Sequence, residues 1–145
     1  MAHFEDLQPC GYFPQSRKAP RAIGWLTRDA RFPQGAVSKE FFENLQALCS
    51  SPWQPFVVSM GVHHCELCQF DPPAFSSNLF VPFQGCIFVA PVAITHYVSV
   101  HWYRPPDVFI QAVAECPSTS SMEYKKAILE NGGRSLIKAI VPKSG

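Results

Sequence analysis

The sequence predicts an α+β fold in which a small sheet with a central β-hairpin is packed by three to four helices. Two β-like runs, residues 79–83 and 86–91, are separated only by Gln84-Gly85, a spacing typical of a hairpin. Apolar stripes of helical period lie both before and after this hairpin. Cys and His residues gather in two segments that flank it, which predicts a zinc site joining a turn to a helix.

The composition fits one folded domain. The chain has 145 residues, of which 47% are hydrophobic and 16% charged. A chain of this length removes about two-thirds of its unfolded surface from water, which is enough for a real core. We expect residues 1–21, which are rich in proline and charge without a clear period, to form an extended N-terminal arm. Residues 22–145 are then a single globular domain.

The charge balance argues against two classes of partner. A formal net charge of +1 creates no long-range field that would attract nucleic acid or an anionic membrane. The sequence contains no run of the roughly 20 apolar residues that a membrane span requires, and its first residues do not resemble a signal peptide. We therefore expect a cytoplasmic protein, with its oligomeric state open. Six cysteines in that compartment are expected to be free, buried or metal-bound.

Ahead of the Cys/His cluster, the strongest signal is a helix that begins after Ser38. This residue can cap the helix, and Glu40 and Glu43 lie in or near its first turn. A short strand is expected at residues 22–27, and the β-like run 55–62 leads into the cluster. The helix carries one apolar stripe, formed by Phe41, Phe42, Leu45 and Leu48.

After the cluster, residues 71–78 read as a loop because they contain two prolines and several small polar residues. Pro82 restricts the first strand of the hairpin to a sheet edge or a strand end. Pro91 is expected to start a buried helix that continues to the proline pair at residues 105–106.

Two further helices and one short segment complete the prediction. The first helix spans residues 108–115 and buries a stripe that includes Val108. The second follows a capping box of Ser120 and Glu123, buries Tyr124, Ile128 and Leu129, and stops at residues 131–133. Residues 135–141 are expected to form a short strand or helix.

The chemistry of the chain is concentrated in "GVHHCELC" (residues 61–68) and "HYVSVH" (residues 96–101). Cys65 and Cys68 have the spacing at which two thiolates bind one zinc ion, and zinc then needs two more nitrogen or sulfur ligands. His96 and His101 offer these, but at about 100° per residue an undistorted helix turns them roughly 140° apart.

Two solutions of this geometry stay open. Either the last helical turn tightens or unwinds ahead of residues 105–106, or His63 replaces one of the helix histidines. The candidate metal ligands are therefore Cys65, Cys68, His101, His96 and His63, with His64 ranked last.

The Cys/His cluster has three interpretations other than a structural zinc site. The cluster could be incidental, or the two cysteines could form a redox pair, although the prolines that follow interrupt the helix such a pair needs. The third alternative is a metal-dependent enzyme with three ligands, a water and Glu66 as general base. The sequence contains no His-Glu-x-x-His motif, phosphate-binding glycine loop or nucleophile elbow, so catalysis is not evident.

The two segments together resemble a group of small uncharacterised bacterial proteins. Their pattern is Gly-aromatic-His-x-Cys-x-x-Cys, a hairpin, and then Ala-Pro-x-x-Ile-x-His-Tyr-(x)3-His-x-Tyr-x-Pro-Pro, and the resemblance covers about residues 22–115. This sequence departs from it at Val62, where the group has an aromatic residue. The resemblance implies no activity. It marks His63, Cys65, Cys68, His96, His101, Tyr103, Pro105 and Pro106.

The function we expect from these observations is that of a small zinc-stabilised domain that binds another protein and carries no evident catalytic activity. The zinc would be structural, since such an ion can contribute a large share of the folding free energy of a domain. Aromatic residues in proline-rich stretches, such as Trp53, Phe75 and Phe83, are the candidate partner contacts.

Overall fold

The computed structural model describes residues 4–10, 20–53 and 63–133. The predictions for residues 55–62 and 135–141 lie outside the described residues. Among the described residues, no helix is long and apolar enough to cross a membrane. In chain order the elements are β1 (Arg21–Ala22), α1 (Lys39–Ser50), β2 (His63–His64), β3 (Ala74–Phe75), β4 (Asn78–Phe83), β5 (Cys86–Pro91), α2 (Ile94–His101), α3 (Asp107–Glu115) and α4 (Met122–Glu130).

The predicted hairpin is present and forms most of the main sheet. β4 and β5 pair antiparallel with Phe83 opposite Cys86, and β1 pairs parallel to β5 on the other side. Gln84 (φ 46°) and Gly85 (φ 85°) both adopt positive φ, as the tight turns of two-residue hairpins require. β4 lies at the edge of this three-stranded sheet, which confirms the position predicted from Pro82.

Side chains that alternate along the hairpin pack into two separate hydrophobic cores, one on each face of the sheet. Leu79 and Phe88 belong to the larger core, where α1, α2 and α3 pack. Phe80 and Val89 point to the other face, where α4 contributes its buried residues. The predicted α+β class, with a small sheet packed by four helices, is therefore confirmed.

The strand predicted at residues 22–27 is wrong. The observed strand β1 is only Arg21–Ala22, because Gly24 turns the chain with a φ of 73°. The Gly24 amide donates to Asp6 Oδ1 at 3.0 Å, and the Leu7 amide donates to the Ala22 carbonyl at 2.8 Å. Residues 4–10 thus hydrogen-bond along the segment that contains β1. The division into an arm and a domain stays a prediction.

The helix predicted after Ser38 is confirmed. The Ser38 hydroxyl accepts from the Phe41 amide at 3.0 Å, and α1 ends at Ser50 ahead of Pro52. Of its predicted stripe, Phe42 is only half-buried while the others are buried.

The other three predicted helices are present, but the start of α2, the cap of α4 and the exposure of two residues differ from the prediction. α2 begins at Ile94 rather than Pro91, because Pro91 is the last residue of β5. Val108 and Leu129, both expected on inner stripes, are 36% and 43% exposed. The α4 cap is Ser121, whose hydroxyl accepts from the Tyr124 amide at 3.1 Å, and not Ser120.

Candidate metal centre

The two cysteines lie in a turn at the end of a very short ladder. β2 pairs antiparallel with β3, so the predicted loop 71–78 contains a strand. The Cys65 amide continues the ladder by donating to the Pro73 carbonyl at 3.1 Å. We call residues 65–68 the cysteine turn. No helix starts between residues 65 and 73, so the cysteines lack the helix N-terminus of a redox motif.

The two histidines reach the cysteine turn because the last turn of α2 is altered. The Trp102 amide donates to the Tyr97 carbonyl five residues back, where an α-helix would use the carbonyl four residues back. Trp102 adopts a left-handed conformation (φ 59°), and the Tyr103 amide also donates to Tyr97 O, at 3.1 Å. This wider turn reduces the angle between His96 and His101, whose ring centroids lie 5.0 Å apart.

Four side chains converge on one point with distances that suit zinc. Cys68 Sγ lies 3.2 Å from His96 Nε2 and 3.4 Å from His101 Nε2, and Cys65 Sγ lies 3.4 Å from His101 Nε2. All four ligand atoms lie within 4.8 Å of one another. With Zn–S of about 2.3 Å and Zn–N of about 2.0 Å, a tetrahedral ion holds sulfur and nitrogen about 3.5 Å apart. Cys65, Cys68, His96 and His101 thus lie close enough to hold a metal ion.

The electrostatics of the site favour neutral histidines and act on the Cys65 thiol in two opposite directions. Burial lowers the pKa of His96 and of His101, so both rings keep a lone pair for a metal at neutral pH. Burial raises the pKa of the Cys65 thiol, while the backbone amides of Leu67 and Cys68 oppose that rise by hydrogen-bonding to its sulfur. These amides stabilise a thiolate, which is the form that binds a metal.

A second layer of contacts holds the cysteine turn against the segment that follows β1. The Thr27 hydroxyl donates to Glu66 Oε1 at 2.9 Å, and Arg28 Nε donates to the Glu66 carbonyl at 3.1 Å. On the helix side, the Phe75 ring lies 6.2 Å from the His96 ring. Thr27 and Arg28 therefore hold the turn that carries Cys65 and Cys68, and Phe75 lies beside the ring of His96.

The predicted ligand set is only partly accounted for. Four of its five members converge, whereas His63 is described only as a β2 residue opposite Phe75, and its role stays a prediction. His64 is exposed in β2. The contacts of Thr27 and Arg28 are not predictable from the sequence, because nothing near these residues indicates a partner 38 or 39 residues away.

The aromatic residues predicted as partner contacts are not among the exposed large side chains of the described residues. Phe83 is buried at 6% exposure, and Trp53 packs edge-on against Phe80 with ring centroids 5.9 Å apart. Among the described residues, the large exposed aromatic side chains near the site are Phe70, at 81%, and Trp102, at 61%. Each follows a candidate ligand by one or two positions.

Comparison with known proteins gives a family and nothing beyond it. A family model described as "Domain of unknown function (DUF7919)" matches residues 2–114, a range that includes the cysteine turn and both helix histidines. No curated protein and no solved structure matches the chain.

Proposed function

The chain belongs to the DUF7919 family, whose function is unknown, and we therefore propose from the metal centre itself that this protein is a small zinc-stabilised domain. The observation that carries the proposal is the convergence of two sulfurs and two imidazole nitrogens within 4.8 Å. Thiolate and imidazole ligands in a tetrahedral set select zinc over magnesium or calcium, which prefer oxygen.

The role we propose for the zinc is structural. Four protein ligands complete a tetrahedron, whereas catalytic zinc keeps one position for water. The ion would join the cysteine turn to α2 across sequence separations of 28 to 36 residues. Structural zinc binds with free energies on the order of 10 kcal/mol, comparable to the whole net stability of a domain at about 5–15 kcal/mol.

We further propose that the domain binds another protein and works in the cytoplasm of a bacterium. The exposure of Phe70 and Trp102 beside the ligands supports the first part, since large exposed apolar side chains are typical of contact surfaces. A Phe70→Ser, Trp102→Ser double variant is expected to keep its zinc and to lose a partner that the parent retains. Equal retention by both proteins would contradict the interaction role.

Metal analysis of the purified protein tests the zinc proposal. We expect one zinc per chain, and X-ray absorption spectroscopy is expected to show two sulfur and two nitrogen neighbours. Less than half an equivalent of zinc after gentle purification would overturn the proposal.

The second candidate is a metal-dependent enzyme, and the observation that favours it is Glu66. This half-buried carboxylate lies between the two cysteines and is held by Thr27, where it could act as a base for a metal-bound water. The same absorption spectrum separates the two functions. Three protein ligands and one oxygen would favour the enzyme, while four protein ligands favour the structural role.

A further inference from the structure

We infer that the cysteine turn is also an oxidation switch, in which a hydroperoxide joins Cys65 to Cys68 as a disulfide and thereby releases the zinc. This inference rests on the proposed zinc site and adds a regulation to it. The observation behind it is an asymmetry between the two sulfurs. Cys65 is 1% exposed, whereas Cys68 is half-buried and accessible to a small oxidant.

The two sulfurs are placed to react in sequence. The Cys68 sulfur is the one an incoming peroxide meets, and the Cys65 sulfur lies behind it within 4.8 Å. Only two residues separate them, a spacing that other dithiol motifs close into a disulfide. Zinc keeps both sulfurs as thiolates, and the thiolate is the nucleophilic form.

The reaction balances with the hydroperoxide as the only oxidant. The Cys68 thiolate attacks the terminal peroxide oxygen, the O–O bond breaks, and the alkoxide leaves as an alcohol after taking a proton from water. Cys68 is then a sulfenic acid. The Cys65 thiolate attacks the Cys68 sulfur and displaces hydroxide, which takes a second proton and leaves as water. Two thiolates are oxidised to one disulfide, the peroxide is reduced to alcohol and water, and zinc leaves with its charge unchanged.

The other four cysteines are poor competitors for the oxidant. Cys10 and Cys49 are 1% and 8% exposed. The half-buried thiols of Cys86 and Cys116 donate to the carbonyls of Phe83 and Pro117, at 3.3 and 3.4 Å, so they are held in the protonated form. Burial also raises the pKa of Cys49 and of Cys116 to about 12. Oxidation is therefore directed to the cysteine turn.

The switch would act on the fold because it replaces a long-range connection with a local one. Zinc joins residues 36 positions apart, and the disulfide joins residues within a single turn. A cross-link restricts the unfolded chain more when it closes a longer loop. Oxidation thus removes the connection between the cysteine turn and α2 and leaves almost no constraint in its place.

Hydrogen peroxide and the zinc-loaded chain provide the test. Treated protein is expected to release one equivalent of zinc to a colorimetric indicator and to lose two hydrogen atoms by mass, with peptide mapping placing the disulfide between Cys65 and Cys68. A 1,3-diketone that traps sulfenic acids is expected on Cys68 and not on Cys65. A phosphine reductant with added zinc is expected to restore the starting metal content.

Matched controls keep the test specific. The variants Cys86→Ser and Cys116→Ser leave both sulfurs of the turn in place, so they are expected to release zinc like the parent. Zinc that stays bound under peroxide, or a disulfide that includes Cys86 or Cys116, would overturn the switch and leave the zinc proposal standing. A chain purified without zinc would overturn the proposed function, and the switch with it.

Discussion

Cys65 is the one fully buried side chain among the four candidate ligands. Its sulfur is buried, and that burial raises the pKa of the thiol. The backbone amides of Leu67 and Cys68 nevertheless hydrogen-bond to the sulfur, and these hydrogen bonds favour the thiolate. A cation at the centre of the four ligands satisfies both conditions, because its charge compensates the buried thiolate.

Replacement of Cys65 by serine is expected to abolish stoichiometric zinc binding and to destabilise the fold by several kcal/mol, about the scale on which loss of a structural metal acts. Metal analysis and thermal unfolding check this. Cys86→Ser is the matched control, because Cys86 lies in β5 and is not a candidate ligand. This variant is expected to keep its zinc. A Cys65→Ser protein that unfolds at the temperature of the parent would argue against structural zinc.

Thr27 tests the layer of contacts behind the ligands. Its hydroxyl holds Glu66, so Thr27→Val keeps the side-chain shape and removes the hydrogen bond. Zinc affinity is expected to fall by about 10-fold, the lower end of the effect that such outer contacts have on metal sites. Competition with a chromophoric chelator measures it. Thr119→Val is the control: it removes a comparable hydrogen bond, to the Ser51 carbonyl, and should leave zinc affinity unchanged.

At this scale the sequence indicated the four side chains that converge and gave no sign of the contacts around them. The proximity of Cys65, Cys68, His96 and His101 was predictable because their residue types and spacing are typical of a zinc site. The Glu66–Thr27 contact was not, because it joins positions 39 residues apart that only the folded chain brings together.

At the scale of elements, the hairpin and the helices were predictable from local signals, and several of their ends were not. Pro91 is a common helix-starting residue, but its pairing with Asn78 places it in β5. The angle between His96 and His101 is reduced by a widened last turn at Trp102, a change of the kind named in the first of the two solutions left open by the sequence. The pairing of β4 with β5 therefore sets where α2 begins, and the left-handed cap at Trp102 sets where it ends.

Gly24 follows β1 in the chain and lies close to Ile94, the first residue of α2. It has a positive φ of 73°, and an added Cβ would lie 3.2 Å from the Ile94 side chain. Gly24→Ala is expected to lower the free energy of unfolding by about 1–3 kcal/mol, from backbone strain and crowding together. Chemical denaturation measures this loss.

Gly85→Ala is the matched control for Gly24→Ala. Gly85 has a similar φ of 85°, but an added Cβ there meets nothing within 4 Å. Gly85→Ala is then expected to lower the free energy of unfolding through backbone strain alone, by about 1 kcal/mol. Equal losses in the two variants would show that the contact with Ile94 contributes nothing.

At the scale of the whole molecule, acid is expected to release the metal and weaken the fold. Burial lowers the pKa of His96 and of His101, so zinc competes with protons for these rings only below their ordinary pKa of about 6.5. The unfolded chain takes up these protons at higher pH than the folded chain, so the stability they contribute is lost as pH falls through that window.

Thermal unfolding with a chelator present measures this effect. We expect a lower unfolding temperature at about pH 5 than at about pH 7, and a larger difference when excess zinc replaces the chelator, because acid then also weakens zinc binding. Identical unfolding temperatures at the two pH values, with the chelator present, would contradict the prediction.

The position of the β4–β5 hairpin between the two ligand segments has a consequence for the order of folding. The hairpin is local in sequence, since Phe83 pairs with Cys86, and hairpins of this kind form within microseconds. Once Asn78 pairs with Pro91, only short stretches of chain separate the hairpin from Cys68 and from His96. The entropy of closing the loop between them is then largely lost before any ion arrives. We therefore expect a pathway in which the hairpin forms first and zinc binds late, completing a nearly assembled chain rather than nucleating it.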